Sequence, residues 1–284
     1  MTELISVIVA TYNRPDALDA VLRGLSRQTD RAFEIVIADD GSGPETMQTV
    51  ECWAAATDPA VVHVWHPDRG FRLAEIRNRA ILRSRGAYCI FLDGDCIPRA
   101  DFIAAHRRLA EPGWFVAGNR VLLSRALTER VLAAGVAAEN WGLAEILRRR
   151  LSSDINRIAA LLSFPLGPLR KVNATRWQGA RGGNLAIWRR DLDRVDGFDA
   201  DFSGWGREDS DIIVRLFRSG VRRKDGRFAT GVLHLWHPEN DRSLLPDNES
   251  RLDDALASPR VRAMRGLSSL DAPIAEAALD LPVR

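Results

Sequence analysis

In the stretch Cys89-Ile90-Phe91-Leu92-Asp93-Gly94-Asp95, an unbroken apolar run ends in two carboxylates separated by a glycine. A short apolar run bounded by turn residues reads as a strand covered on both faces, the kind that fills a parallel sheet. Toward the amino terminus, Leu4 to Ala10, Phe33 to Ala38 and Val61 to His66 repeat the pattern, and with Tyr88 to Leu92 they predict four strands. Helices are predicted between them. Ala17 to Gln28 places Leu18, Val21, Leu22 and Leu25 at helical spacing, Glu45 to Ala56 follows a Gly-Pro turn, and Leu73 to Arg85 carries Ile76, Ala80 and Ile81 on one face. Strands feeding helices feeding strands predict an α/β fold with a Rossmann-like, mostly parallel sheet flanked by helices. In such folds ligands sit beyond the carboxyl ends of the strands.

Four of those ends are polar: Thr11-Tyr12-Asn13-Arg14-Pro15-Asp16, Asp39-Asp40-Gly41-Ser42, His66-Pro67-Asp68-Arg69-Gly70 and Asp93-Gly94-Asp95. Each alone fits a helix cap or a turn. Gathered on one rim, they read as a site. Asp93 and Asp95, one residue apart around a glycine, suit a hard cation such as Mn²⁺ or Mg²⁺ that completes its shell with phosphate oxygens. Asp39 is an acceptor able to take the imide N–H of a uracil. Gly41-Ser42-Gly43-Pro44-Glu45-Thr46 only approximates a dinucleotide fingerprint, with Thr46 in place of the third glycine and the turn after the wrong strand. No GxxxxGK[ST] occurs, so a P-loop is excluded.

Beyond Gln178 the α/β pattern returns, with strands near Leu185 to Trp188 and Gly231 to Leu235 and a helix near Glu208 to Arg218. Trp205-Gly206-Arg207-Glu208-Asp209-Ser210-Asp211 puts three acids in the opening of that helix. Complementing the helix dipole, at roughly 0.3 to 1 kcal/mol each, accounts for one or two of them. It leaves the aromatic and glycines of Ser203-Gly204-Trp205-Gly206 unexplained. They read as a loop closing over a ligand with the indole as a platform, and a carboxylate at the helix start can serve as general base toward a sugar hydroxyl. His234 and His237 follow the last strand, and His234 can offer neutral imidazole to Mn²⁺.

The 284 residues carry 40 Lys+Arg against 38 Asp+Glu, a balance that points to no nucleic-acid partner. Cys52, Cys89 and Cys96 are too few and too scattered for a disulfide framework or a zinc ribbon, and suit a reducing cytosol. Met1 to Ala10 reads as a strand and not a signal, and no apolar stretch approaches the ~18 residues of a membrane span. A cytoplasmic protein, peripheral at most to the inner membrane, is therefore expected. Arg125 to Lys171 reads as a helical insertion. Between Ile146 and Arg176 the chain holds seven Lys/Arg and one acid, which fits either a solvated face or a surface facing anionic phospholipid or a phosphorylated acceptor. After Pro238 the chain reads as a polar tail, helical or partly ordered.

Ser6 to Arg14, Glu34 to Ser42 and Phe91-Leu92-Asp93-Gly94-Asp95 together resemble family 2 glycosyltransferases of the GT-A fold. Arg181-Gly182-Gly183-Asn184 and Trp205-Gly206-Arg207-Glu208-Asp209 resemble the carboxyl-terminal part shared by β-1,4-galactosyltransferases and bacterial chondroitin-polymerase-type enzymes. The similarity implies one domain over residues 1–240: a nucleotide-binding half to about residue 124, the insertion to about 172, and an acceptor and catalytic half. Residues 241–284 would follow as a tail. It implies an inverting transfer of a hexose or N-acetylhexosamine from a UDP-sugar to a glycan or lipid-linked acceptor in surface polysaccharide or lipopolysaccharide synthesis. Carried over, Thr11, Tyr12 and Arg14 line the nucleotide pocket, Asp39 takes the uracil and Arg77 lies near the diphosphate. Asp95 binds Mn²⁺, Asp93 reaches the ribose or the metal's waters, and His234 matches the late histidine ligand, with His237 close enough to compete. Asp209 matches the catalytic base and Glu208 its neighbour on the sugar, while Gly183 and Trp205 shape the donor pocket. The competing readings are a sugar nucleotidyltransferase, whose glycine-rich basic amino-terminal loop is missing, and a binding module without turnover, which needs no base.

Overall fold

The first strand, β1 (Ile5–Thr11), is buried at every position and hydrogen-bonds in parallel on both sides. A computed structural model describes residues 3–270; residues 1–2 and 271–284, the end of the expected tail, lie outside the described residues. In chain order follow α1 (Pro15–Ser26), β2 (Phe33–Asp39), α2 (Pro44–Ala56), β3 (Val61–Trp65), α3 (Leu73–Arg83) and β4 (Tyr88–Asp93). Next come β5 (Cys96–Pro98), α4 (Phe102–Leu109), β6 (Trp114–Ala117), β7 (Arg120–Leu122), α5 (Arg125–Ala133) and α6 (Leu143–Leu151). The chain closes with β8 (Asn184–Trp188), α7 (Arg189–Val195), α8 (Glu208–Arg218), β9 (Arg222–Asp225), β10 (Val232–His234) and α9 (Leu245–Ala257).

The main sheet runs β3-β2-β1-β4-β8-β6-β9, and its first four strands are parallel, as the apolar runs predict. Successive side chains of β1 point to opposite faces, so Val7 and Val9 join α1 in one core layer while Ile8 and Ala10 join α3 in the other. The chain steps from β1 outward to β3, then returns to β4 on the other side of β1. That reversal opens a crevice at the carboxyl ends of β1 and β4, the usual ligand position in such sheets. Ala10 and Asp93 face each other there.

A second sheet, β5-β10-β7, was not foreseen as a sheet. β10 lies antiparallel to β5 and parallel to β7, with His234 opposite Cys96. It folds the late histidines back onto the Asp93-Gly94-Asp95 turn.

The stretch from Arg125 to Lys171 is helical only in part. α5 and α6 carry the expected period, but 159–161 and 167–171 are single 3₁₀ turns. Pro165 and Pro168 lack the N–H and crowd the preceding turn, so no α-helix runs through this stretch, and Pro168 stands in the first turn of the 3₁₀ segment at 167–171. Nor is the segment merely peripheral, because Ile146, Ile155, Ala160 and Leu161 pack into the main core. Part of its positive charge is spent internally: Arg149 pairs with Glu145 and Asp154, Lys171 with Glu111, and buried Arg170 donates to the carbonyls of Asp225 and Arg227.

Beyond Pro238, α9 packs beside α8, and Arg260 reaches Asp199 at 2.6 Å and Asp211 at 3.1 Å. Leu267 enters the second core layer. Among the described residues no helix is long and apolar enough to cross a membrane.

Candidate active site

The crevice is organised around Arg77, projected from α3 and 1% exposed. Its Nη2 donates to Asp93 Oδ1 at 3.1 Å and its Nη1 to Glu208 Oε1 at 3.3 Å. One guanidinium thus joins the end of β4 to the start of α8. A buried arginine needs such partners, and five rigid N–H donors let it serve two carboxylates at once. Arg120, at the start of β7 and not singled out by the sequence, lies 3.8 Å from the other Asp93 oxygen.

The run Arg181-Gly182-Gly183-Asn184 threads between these groups. A Cβ on Gly183 would stand 2.0 Å from Asp93 Oδ2, and one on Gly182 would stand 2.6 Å from Arg77 Nη1. Only hydrogen fits at either place. Gly182 N–H donates to Asp209 Oδ2 at 3.1 Å, so the backbone positions that carboxylate. Asn184 is a structural pin: its amide donates to the carbonyls of Asn119 and Thr230, and its Oδ1 accepts from His106. Burial pushes His106 down to about 3, so its ring is neutral.

The three acids of α8 have separate fates. Asp211 is fully buried and bound by Arg215 and Arg260, a structural duty. Glu208 is buried, and burial followed by the charge of Asp209 pushes its carboxyl up to about 7 despite Arg77. Asp209 is half-buried. Arg207 just before them holds φ 78°, a left-handed conformation costing a side-chain-bearing residue about 1 to 2 kcal/mol. Trp205 is half-buried, with the Arg242 guanidinium 4.8 Å from its ring centre. The guanidinium thus faces the indole that the sequence predicts as a platform for a ligand.

Asp95, His234 and His237 offer donor atoms within 4.8 Å of one another. Asp95 Oδ1 is buried without a hydrogen-bond partner and lies 3.6 Å from His234 Nε2, while Oδ2 lies 3.4 Å from His237 Nε2. An orphaned buried carboxylate oxygen facing imidazoles is costly unless a cation or proton satisfies it. Burial, the largest cause, lowers His234, leaving the neutral imidazole that a metal requires. Cys96 also borders the group, and burial holds its thiol well above the ordinary value. One carboxylate with imidazole nitrogens fits Mn²⁺ or a similar divalent ion.

At the β1, β2 and β3 ends, Thr11 is buried with its hydroxyl unpartnered, and Arg14 turns to Asp16 at 2.9 Å. Tyr12, 47% exposed, donates to Asp68 at 2.8 Å. Asp39 is closed to solvent: Ser42 N–H donates to its Oδ1 at 2.8 Å, and His63 Nε2 lies 2.9 Å from its Oδ2. Asp40 is likewise engaged, by His66 at 2.6 Å and by Arg72 N–H. Trp65, the register neighbour of Asp39, is 41% exposed and donates to the Ser42 carbonyl. Neither His63 nor Trp65 was recognisable beforehand, since both read as interior positions of a strand.

The sheet order, the crevice at its reversal and the carboxylates on both sides define a glycosyltransferase fold of the GT-A type. The same fold is seen in the mannosyltransferase PcManGT from Pyrobaculum calidifontis, solved in complex with GDP-Man and Mn²⁺ (TM-score 0.61, 20% identity, covering 90% of this chain and 64% of that one). Residues 6–159 match the model of glycosyl transferase family 2, and residues 172–237 match that of the N-terminal domain of galactosyltransferase. The chain belongs to glycosyl transferase family 2. It is 29% identical over 237 residues to validoxylamine A glucosyltransferase of Streptomyces hygroscopicus subsp. jinggangensis, covering 81% of this chain and 55% of that protein. It is 26% identical over 233 residues to chondroitin synthase of Pasteurella multocida, covering 76% of this chain and 23% of that protein. The chain therefore spans about half of the first relative and a quarter of the second.

Proposed function

We propose that this protein is an inverting, divalent-metal-dependent glycosyltransferase that moves a hexose or N-acetylhexosamine from a UDP-sugar to a hydroxyl of a glycan or lipid-linked acceptor in surface polysaccharide or lipopolysaccharide synthesis. The observation that carries it is the Arg77 bridge. It brings a strand-end carboxylate beside a metal-fitting group, and a carboxylate pair at a helix start, to the two sides of one crevice.

Asp95 with His234, and His237 beside them, would hold the cation. When bound it supplies positive charge toward the departing diphosphate. Asp209, held by Gly182 N–H, takes the proton from the acceptor hydroxyl as that oxygen attacks the anomeric carbon. The bond from that carbon to the phosphate oxygen breaks with its electron pair on the leaving UDP, so one displacement inverts the centre. Glu208, protonated over much of the range below pH 7, can donate a hydrogen bond to a sugar oxygen, and Trp205 offers an apolar face to the ring. Arg77 and Arg120 compensate the carboxylates and lie where a diphosphate would approach.

The preference for uracil rests on Asp39. Guanine presents two adjacent donors and pairs best with two free carboxylate oxygens. Here Ser42 and His63 already occupy one site on each oxygen, which favours the single imide N–H of uracil. Asp39 is closed to solvent, so the base reaches it only after a local movement. The test is a thermal-shift and hydrolysis screen of UDP- and GDP-sugars with Mn²⁺. A UDP-sugar that stabilises the protein and is slowly hydrolysed supports the reading, and a response to GDP-sugars alone overturns the donor assignment.

A further inference from the structure

Helix α6 sends one residue, Ile146, into the core and leaves its apolar ridge outside. Leu143, Leu147 and Leu151, four residues apart and so on one face, are 57%, 43% and 87% exposed. A surface helix ordinarily turns such a ridge inward. Here it faces water, and a contiguous apolar patch of this kind marks an interaction surface more than scattered single residues do.

The charge beside the ridge narrows the partner. Arg148, Arg150 and Arg157 are exposed; Arg148 is held by Glu145, while Arg150 and Arg157 make no ion pair among the described residues. The acid of the segment, Asp154, is already taken by Arg130 and Arg149. A second copy of this chain packed across a two-fold axis would set these cations against themselves. An anionic surface with an apolar interior satisfies both the leucines and the arginines.

The helix is also tied to the site. Just beyond α6, Ile155 bridges to Leu123, and Leu122 N–H donates to Asn156 Oδ1 at 3.0 Å, stitching this turn to the end of β7. The start of that strand, Arg120, lies 3.8 Å from Asp93. Three strand residues, about 10 Å, thus separate the anchor of α6 from the crevice.

The geometry points to α6 as a membrane-docking element: its leucine ridge enters the headgroup boundary of an anionic bilayer, Arg150 and Arg157 contact lipid phosphates, and the crevice is held beside lipid-borne acceptor. In naming what presents the acceptor, the inference rests on the proposed transfer, but vesicle binding is read without substrates, so the two fail separately. The experiment is flotation of the full chain with vesicles of phosphatidylcholine, with and without one third phosphatidylglycerol. Binding is expected only with phosphatidylglycerol and should fall by about tenfold in Leu143→Gln/Leu147→Gln/Leu151→Gln and in Arg150→Glu/Arg157→Glu. Leu151→Gln alone, at the most exposed position, gives a milder variant that keeps the fold, and UDP-dependent thermal shift should be unchanged in all three. Absence of flotation with the anionic vesicles, or undiminished flotation of the leucine variants, overturns the proposal. So does a dimer in analytical ultracentrifugation that the leucine variants dissolve, since the ridge would then be a contact between copies.

Discussion

Arg77 and Glu208 stand 131 positions apart in the chain and 3.3 Å apart in the fold. The same guanidinium holds Asp93, so the two halves of the crevice share one positive charge. Removing it leaves buried Glu208 without its cation and Asp93 with Arg120 alone, 3.8 Å from its other oxygen. Arg77→Ala is expected to destabilise the protein by about 3 to 5 kcal/mol, the cost typical of breaking a buried pair from one side. Urea denaturation checks this, and a loss below about 1 kcal/mol would show that water replaces the guanidinium.

Glu208 makes the stability pH-dependent, with a definite sign. Its carboxyl ordinarily titrates near 4.5 but is raised to about 7 when folded, so between these values the folded state holds a proton that the unfolded state has lost. Stability from this group is therefore complete below pH 4.5 and is lost as pH rises through about 7. Denaturation midpoints measured in chelator from pH 5 to 8 should fall with pH in the parent and flatten in Glu208→Gln. Parallel curves for the two proteins would remove Glu208 as the source.

The cation group separates its members by rigidity. His234 is fixed in β10 opposite Cys96, whereas His237 follows in the exposed segment after the strand. Titration calorimetry with Mn²⁺ should show binding in the parent and its collapse in Asp95→Ala. His234→Ala should lose more affinity than His237→Ala, by about tenfold or more, because a preorganised ligand gives up less freedom on binding. Equal affinity in the parent and Asp95→Ala would refute the site.

How much was legible follows the length and apolarity of each element. β1, β2 and β4 are mostly apolar runs, interrupted inside only by Ser6 and Glu34, on adjacent positions of the sheet, so their bounds to within a residue and the polar rim after them could be read directly. β5 and β7 have three residues each, and β9 is Arg222-Arg223-Lys224-Asp225, a strand with no apolar signal at all. Such strands exist because tertiary neighbours supply the burial that their sequence does not announce. The candidate residues were legible by type, since Asp-Gly-Asp and Trp-Gly-x-Glu-Asp stand out, but their partners were not. Arg120, His63 and Trp65 look like ordinary strand residues, and only the pairing of β7 with β10 and of β3 with β2 gives them their places.

Asp209 and Glu208 are adjacent carboxylates, and the structure treats them differently enough to predict different phenotypes. Glu208 is buried against Arg77 and its carboxyl is raised to about 7, so below that pH it mostly carries a proton that it can share with a sugar oxygen. Asp209 accepts one backbone N–H, from Gly182, and is only half-buried. If it is the base, Asp209→Asn keeps the shape and the backbone contact but cannot take the hydroxyl proton. Turnover should then fall by about 10² to 10⁴, the range of general-base contributions, while UDP affinity stays within about twofold. Glu208→Gln should instead weaken sugar binding as well as turnover, since the amide alters hydrogen bonding without removing the base. Parallel measurement of kcat, KM and UDP affinity in the two variants separates the roles, and an Asp209→Asn enzyme of near-normal kcat would transfer the base to another group.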